Sequence, residues 1–251
     1  MISEDVLAAL GLPEECWVSM RVPKTQLIEH GGFATADRRR IQEGIESLRW
    51  AAAIKPTAVG IPSYDTLDGR RRIPELQAMV LALRPGASAG RINELIHRVF
   101  PYPVLLVTEQ GDEVTLSLAM KRLSQAQAGA VVIEGDILSV GIGDSDLDQE
   151  FLHSLALDRQ PHSDLFALYQ GWVASTVALQ VAQVTGDFRV TVSPEVVQER
   201  LNALTETAHL QNKIVQLRAQ AKKERQMARQ VRINANIKAV QAELRDLQTK
   251  L

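Results

Sequence analysis

The amino-acid sequence reads as an α+β protein: a mixed, largely antiparallel sheet with packed helices, followed by a C-terminal α-helical hairpin of the coiled-coil kind. Strand-like segments are linked by short Gly-Asp turns, which join antiparallel neighbours. Helix-like segments are interleaved with them, so helices and sheet share a core. After Pro194 the chain holds no glycine or proline, and its apolar residues keep a 4-3-4 spacing. The expected division is an α/β core domain over 1–192 and a helical arm over 193–251.

Residues 3–10 form a short helical start closed by Gly11. In ATADRRRIQEGIESLRWAAAI, Ile41, Ile45, Leu48 and Ala52 recur at helical spacing. The reading is one helix ending near Lys55-Pro56, because the residue before a proline disfavours the α region. TAVGI reads as a short strand and IPELQAMVLAL as a longer, mostly buried one, with turn residues in SYDTLDGR between them. Ser88 can cap a helix that buries Ile92, Leu95, Ile96 and Val99. The clearest element is PVLLVTEQGDEVTLSLAMKR, an apolar strand, a Gly-Asp turn and a strand of strict alternation. Val114, Leu116, Leu118 and Met120 face one way; Thr115, Ser117, Ala119 and Lys121 face the other. AVVIEGDILSVGI repeats the pattern around Glu134-Gly135-Asp136 and reads as a second hairpin. Helices over about 147–157 and about 163–184 come next, and GDFRVTV reads as a last short strand.

Ser193-Pro194 starts a helix: a capping hydroxyl, then proline where its missing N–H costs nothing. Leu210, Ile214, Leu217 and Ala221 form one apolar seam; Ile233, Ile237, Val240, Leu244, Leu247 and Leu251 form another in a different phase. The break lies in ERQMARQVR. Two antiparallel helices joined there let the seams face each other; a single helix with a stutter is the competing arrangement.

Composition is that of an ordinary globular chain, with 45% hydrophobic and 23% charged residues among 251. A single cysteine, Cys16, excludes an internal disulfide and a multi-cysteine zinc site. The N-terminus lacks the basic start and apolar run of a secretory signal, and no uninterrupted apolar stretch reaches a membrane span of roughly 18 residues. A cytoplasmic protein is expected. The net charge of −2 conceals a division. Residues 210–251 hold ten Lys/Arg and three Asp/Glu, while the remainder holds eighteen and twenty-seven. An acidic body with a basic tail suggests an anionic partner for the tail.

That positive charge centres on KKERQMARQVRINANIK, residues 222–238. In a hairpin, Lys222, Lys223, Arg225, Arg229 and Arg232 cluster at the tip, with Glu224 the one opposing charge. Long flexible cations suit phosphate contact, which needs charge and reach. No aromatic residue is interleaved, so base stacking is not expected there. A solvated helix face, or a surface for an acidic protein, fits the same run. Arg38-Arg39-Arg40 and Arg70-Arg71-Arg72 are smaller basic clusters that read as surface.

Catalytic and metal-site patterns are sparse. The five histidines are scattered, and GIGDSDLDQE has Gln149 and Leu155 where a calcium loop needs glycine and an acid. A helix, strands, then Glu75-x-Gln77 on a strand is loosely the order of restriction-type nuclease cores. There Asp65 or Asp68 with Glu75 would hold magnesium, but Gln77 stands where a lysine helps activate water. No other cofactor is expected.

Together RVPKTQLIEHGGF, IESLRWAAAIKPTAVGI, IPELQAMVLAL, PYPVLLVTEQGDEVTLSLAMKR and KKERQMARQVRINANIKAVQAEL resemble a bacterial family, the domain of unknown function numbered 4391 (DUF4391). These pieces span nearly the whole chain in order. The resemblance implies a charged C-terminal helical pair and a setting beside helicases and DNA methyltransferases in defence or restriction–modification loci. It implies no catalytic residues. The function expected is therefore a non-catalytic accessory subunit of a DNA-directed defence system that docks a helicase or methyltransferase, with a basic arm that touches nucleic acid, DNA among the candidates, or that partner. A metal-dependent nuclease and a structural module that forms homo-oligomers through the C-terminal helices are the alternatives.

Overall fold

The computed structural model describes residues 2–124, 130–249 and 251. The helices are α1 (Ser3–Ala9), α2 (Lys24–His30), α3 (Thr35–Gly44), α4 (Pro56–Val59), α5 (Ala89–Val99), α6 (Asp146–Ser154), α7 (Leu165–Thr185), α8 (Pro194–Lys223) and α9 (Met227–Gln248). The strands are β1 (Trp17–Arg21), β2 (Ile45–Ile54), β3 (Tyr64–Asp65), β4 (Arg72–Ile73), β5 (Leu76–Leu83), β6 (Val104–Gln110), β7 (Glu113–Leu118), β8 (Lys121–Leu123), β9 (Val131–Ile133) and β10 (Leu138–Ile142). The chain forms two compact units, Met1–Thr176 and Val177–Leu251.

Six strands make the main sheet in the order β1-β2-β5-β6-β7-β10. Every pairing is antiparallel except β5 with β6, which are parallel and joined through α5. The α+β architecture read from the sequence is the one observed. Ile41, Ile45, Leu48, Met79, Leu81, Ile92, Leu95 and Ile96 pack into one core between the sheet and its helices. Across the sheet α1 lies against β6 and α6. Tyr169 on α7 accepts the Ala119 N–H at 2.9 Å and donates to the Val104 carbonyl at 3.0 Å. Trp172, fully buried, donates its indole N–H to Leu155. By length and composition α7 could cross a membrane, but 78% of its apolar window is buried inside the protein.

Four local readings are corrected. The helix drawn through Ile54 stops at Gly44, and Ile45–Ile54 is β2, held between β1 and β5. Gly44 lies tight against α5, since a Cβ there would meet Ile92 Cδ1 at 2.7 Å and Ala87 Cβ at 3.1 Å and the Ile92 side chain would have to shift. TAVGI is not a strand. Pro56 occupies the first position of α4, and Gly60, at φ +70°, closes it in the left-handed region. Val131–Ile142 is not a hairpin either: β9 pairs with β8 in a separate ribbon, while β10 pairs with β7 in the main sheet. GDFRVTV forms no strand, and Val190 and Val192 are exposed, so its alternation faces no core.

Other expectations hold, with differences in detail. Ser145 and Asp148 form a reciprocal capping box at the start of α6, and Asp146 shares its first turn. Ser88 and Ser193 do occupy N-cap positions. Neither hydroxyl caps a backbone N–H, and that of Ser193 bonds Glu195 at 2.7 Å.

Candidate nucleic-acid interface

A helical hairpin carries the basic cluster. At about 1.5 Å per residue, α8 is about 45 Å long and α9 about 33 Å. Both are built from good helix formers, and α8 opens with proline at its first position. Glu224–Gln226 leaves helical geometry: Glu224 has ψ 128° and Gln226 ψ 116°. Glu224 accepts the Gln226 N–H at 2.8 Å, and Gln230 donates to the Ala221 carbonyl at 3.3 Å, one of the last carbonyls of α8. The two out-of-phase seams then meet. Leu210, Ile214, Ile237 and Val240 form a buried cluster, with Leu217, Ile233, Leu244 and Leu247 packed against it. Each fully buried aliphatic side chain contributes about 1.5–3 kcal/mol before the cost of ordering. The hairpin is thus held from within, and α9 ends before Leu251.

The five cations named from the sequence come together at its turn. Lys222 and Lys223 end α8, Arg225 lies in the connection, and Arg229 and Arg232 lie in the opening turns of α9. All five are exposed. None makes an ion pair or side-chain hydrogen bond with a described residue. Helix dipoles explain only some of these positions. Cations are favoured in the last turn of a helix, so Lys222 and Lys223 are well placed by local rules. Arg229 is not: it sits in the first turn of α9, which contains no acid, at a cost of about 0.3–1 kcal/mol. Lys213, Arg218 and Lys238 are exposed cations of the same hairpin. Weighing sequence clusters rather than helical spacing left them out.

The body treats its cations differently. Arg91 holds Asp37 at 2.5 Å and Glu94 at 2.7 Å, Arg40 joins Asp37 at 3.0 Å, and Arg98 joins Glu94 at 2.6 Å. The Arg91 hydrogen bond holds the Asp37 carboxyl below its usual range. Arg39 meets Glu43 and Arg38 donates to the Phe33 carbonyl, so the Arg38-Arg39-Arg40 run is tied down within and just before α3. In the second run Arg70 meets Asp68, Arg72 meets Asp65, and Arg71 bonds Glu134 while lying 4.4 Å over the Phe166 ring.

Those pairs also describe the acids of the nuclease alternative. Asp65 ends β3, Asp68 lies in the following turn, and Glu75 directly precedes β5. Glu75 accepts from Gln77 at 2.9 Å and stands 3.6 Å from Lys55, which follows the neighbouring strand β2. Among the described residues no group of three or more His, Cys, Asp or Glu is placed to hold a metal ion.

One polar cluster escaped the sequence reading. Lys121, placed by the alternation on the same face as Ser117, is buried and donates to the Phe100 and Tyr102 carbonyls, each at 2.7 Å. Burial pushes its pKa down to about 7. His97 on α5 is fully buried, with Nε2 3.0 Å from the Ser117 hydroxyl, and burial pushes its pKa down to about 3. Alternation set Ser117 and Lys121 on one face without saying whether it is covered; His97 of α5 lies against Ser117.

The family model described as a domain of unknown function (DUF4391) matches residues 10–244. The chain is a DUF4391 protein. The match runs through both units and takes in the whole basic turn of the hairpin. No curated protein and no solved structure matches this DUF4391 chain.

Proposed function

We propose that this DUF4391 protein is a non-catalytic accessory subunit of a bacterial DNA-directed defence or restriction–modification system, working in the cytoplasm. Its α/β body docks a helicase or DNA methyltransferase, and its basic hairpin contacts nucleic acid. One observation carries the second half: Lys222, Lys223, Arg225, Arg229 and Arg232 are exposed on a well-packed scaffold without ion pairs to described residues. Such side chains supply charge and reach, which phosphate contact requires. The partner classes rest on the setting implied by the family. Purification of the tagged chain from its native host tests both halves; a helicase or methyltransferase should be recovered with it. Recovery of the intact chain with neither would contradict the docking role.

A second reading, a metal-dependent nuclease using Asp65, Asp68 and Glu75, draws support from Lys55, whose ammonium near Glu75 supplies a charge that Gln77 lacks. DNA incubated with magnesium or manganese should then be cut, and Glu75→Ala should abolish cutting. Intact DNA removes this reading. The oligomerisation alternative would have to use exposed side chains such as Val215, Met227 and Val231, because the seams are covered within one chain. Solution mass with and without residues 205–251 checks it.

A further inference from the structure

We propose that the hairpin grips the phosphate backbone of a nucleic-acid duplex from both of its helices, without reading bases, through eight cations rather than five. The inference rests on the reading of the hairpin as a nucleic-acid contact and names the substrate class. Residues 210–242 hold Lys213, Arg218, Lys222, Lys223, Arg225, Arg229, Arg232 and Lys238 against a single acid, Glu224. All eight are exposed, and none is ion-paired to a described residue. They are divided between the two limbs. Arg218 and Lys222, four apart, share a face of α8; Arg229 and Arg232, three apart, share a face of α9.

Their span matches a polyanion in density. From Lys213 to Lys223 the helix rises about 15 Å, and that length of duplex carries about nine phosphates. Eight positive groups therefore meet a comparable number of negative ones. Single strands are bound chiefly by stacking bases on aromatic rings. No Phe, Tyr or Trp follows Phe188 and His209 lies outside the basic stretch, so residues 210–242 offer no stacking platform. An acidic protein surface is the other polyanion to weigh. Val215, Met227 and Val231 are the large apolar side chains most exposed along the basic stretch. Three aliphatic groups spread over two helices are too sparse for the apolar centre of a protein interface.

The test is binding of the full chain over a salt series. The probes are two 20-base-pair duplexes of unrelated sequence, a matching single strand, and polyglutamate. Duplex affinity should be the same for both sequences, with a log–log salt slope approaching about −7. Arg218→Ala/Lys222→Ala and Arg229→Ala/Arg232→Ala should each flatten that slope by about 2. Unchanged helical circular dichroism would show that both variants keep the hairpin. An α8 pair without effect on the slope would overturn the two-limbed grip. Single strand held as tightly as duplex would overturn the duplex assignment while leaving nucleic-acid contact standing. Binding of polyglutamate but of neither nucleic acid would overturn both.

Discussion

Arg91 in the body and Arg229 in the hairpin carry the same guanidinium into opposite situations. Arg91 bridges Asp37 and Glu94, tying α3 to α5, and its charge is answered inside the fold. Arg229 stands in a helix's first turn, where the dipole opposes it, with no acid beside it. The contrast extends to their surroundings. Arg39, Arg40, Arg49, Arg70, Arg71, Arg72 and Arg98 all meet carboxylates of the body. The eight cations of residues 210–242 meet none among the described residues. A charge answered within the fold serves the fold; one left open on a stiff support is available to something else.

The largest effect should come from removing the support itself. Leu210→Ala empties a buried seam position and should lower hairpin stability by about 2–5 kcal/mol, seen as a lower melting point in the far-ultraviolet helical signal. If that signal melts unchanged, the seam is not what holds the hairpin, and the contrast loses its structural half.

Acid should act next, and on the body. His97 is neutral when folded because its pKa is held near about 3, whereas the unfolded ring takes a proton near about 6.5. The unfolded state therefore binds more protons between those values, and stability falls as pH drops through that window. For one group the limit is about 1.4 kcal/mol per pH unit. Urea midpoints across the window measure it, and His97→Gln should flatten the dependence. Lys121 acts in the same sense at higher pH. Depressed to about 7 when folded, it lets stability rise as pH climbs from there towards about 10.4.

Charge removal sharpens the comparison directly. Arg91→Ala should lower the urea midpoint, because the Asp37 carboxylate loses the partner that holds its pKa down. The stability this contact gives above the usual carboxylate range, lost in the native protein as pH falls through the depressed value, should shrink with it. The smallest expected effect is that of Arg229→Ala, which removes a cation from an unfavourable helix end and should raise stability by no more than about 1 kcal/mol. A large loss there would mean that the hairpin arginine has a partner after all.

Much of this was legible in the sequence, and the failures share a cause. The hairpin β6–β7, the amphipathic α5 and the two seams of α8 and α9 are local patterns whose period names the element. In Ile45–Ile54 the pattern misleads: Ala51–Ala53 and the spacing of Ile41, Ile45 and Leu48 suit a helix, yet β1 and β5 claim the segment from both sides. Gly44, which lies against Ile92, was the available signal for the boundary. For Val131–Ile142 the strands were legible but their partners were not, because alternation does not say which edge a strand joins. The candidate site divides the same way. A basic cluster is visible in one line of text, but whether it is answered is not. Arg91 finds Asp37 across 54 residues and Arg71 finds Glu134 across 63.

Duplex affinity at low salt, wild type against Arg225→Ala/Arg229→Ala/Arg232→Ala, addresses the central claim most directly. If the open arginines contact phosphate, the triple variant should keep its melting point, bind the duplex far more weakly, and show a salt slope shallower by about 3. Equal affinity and equal slope in a folded variant would contradict it.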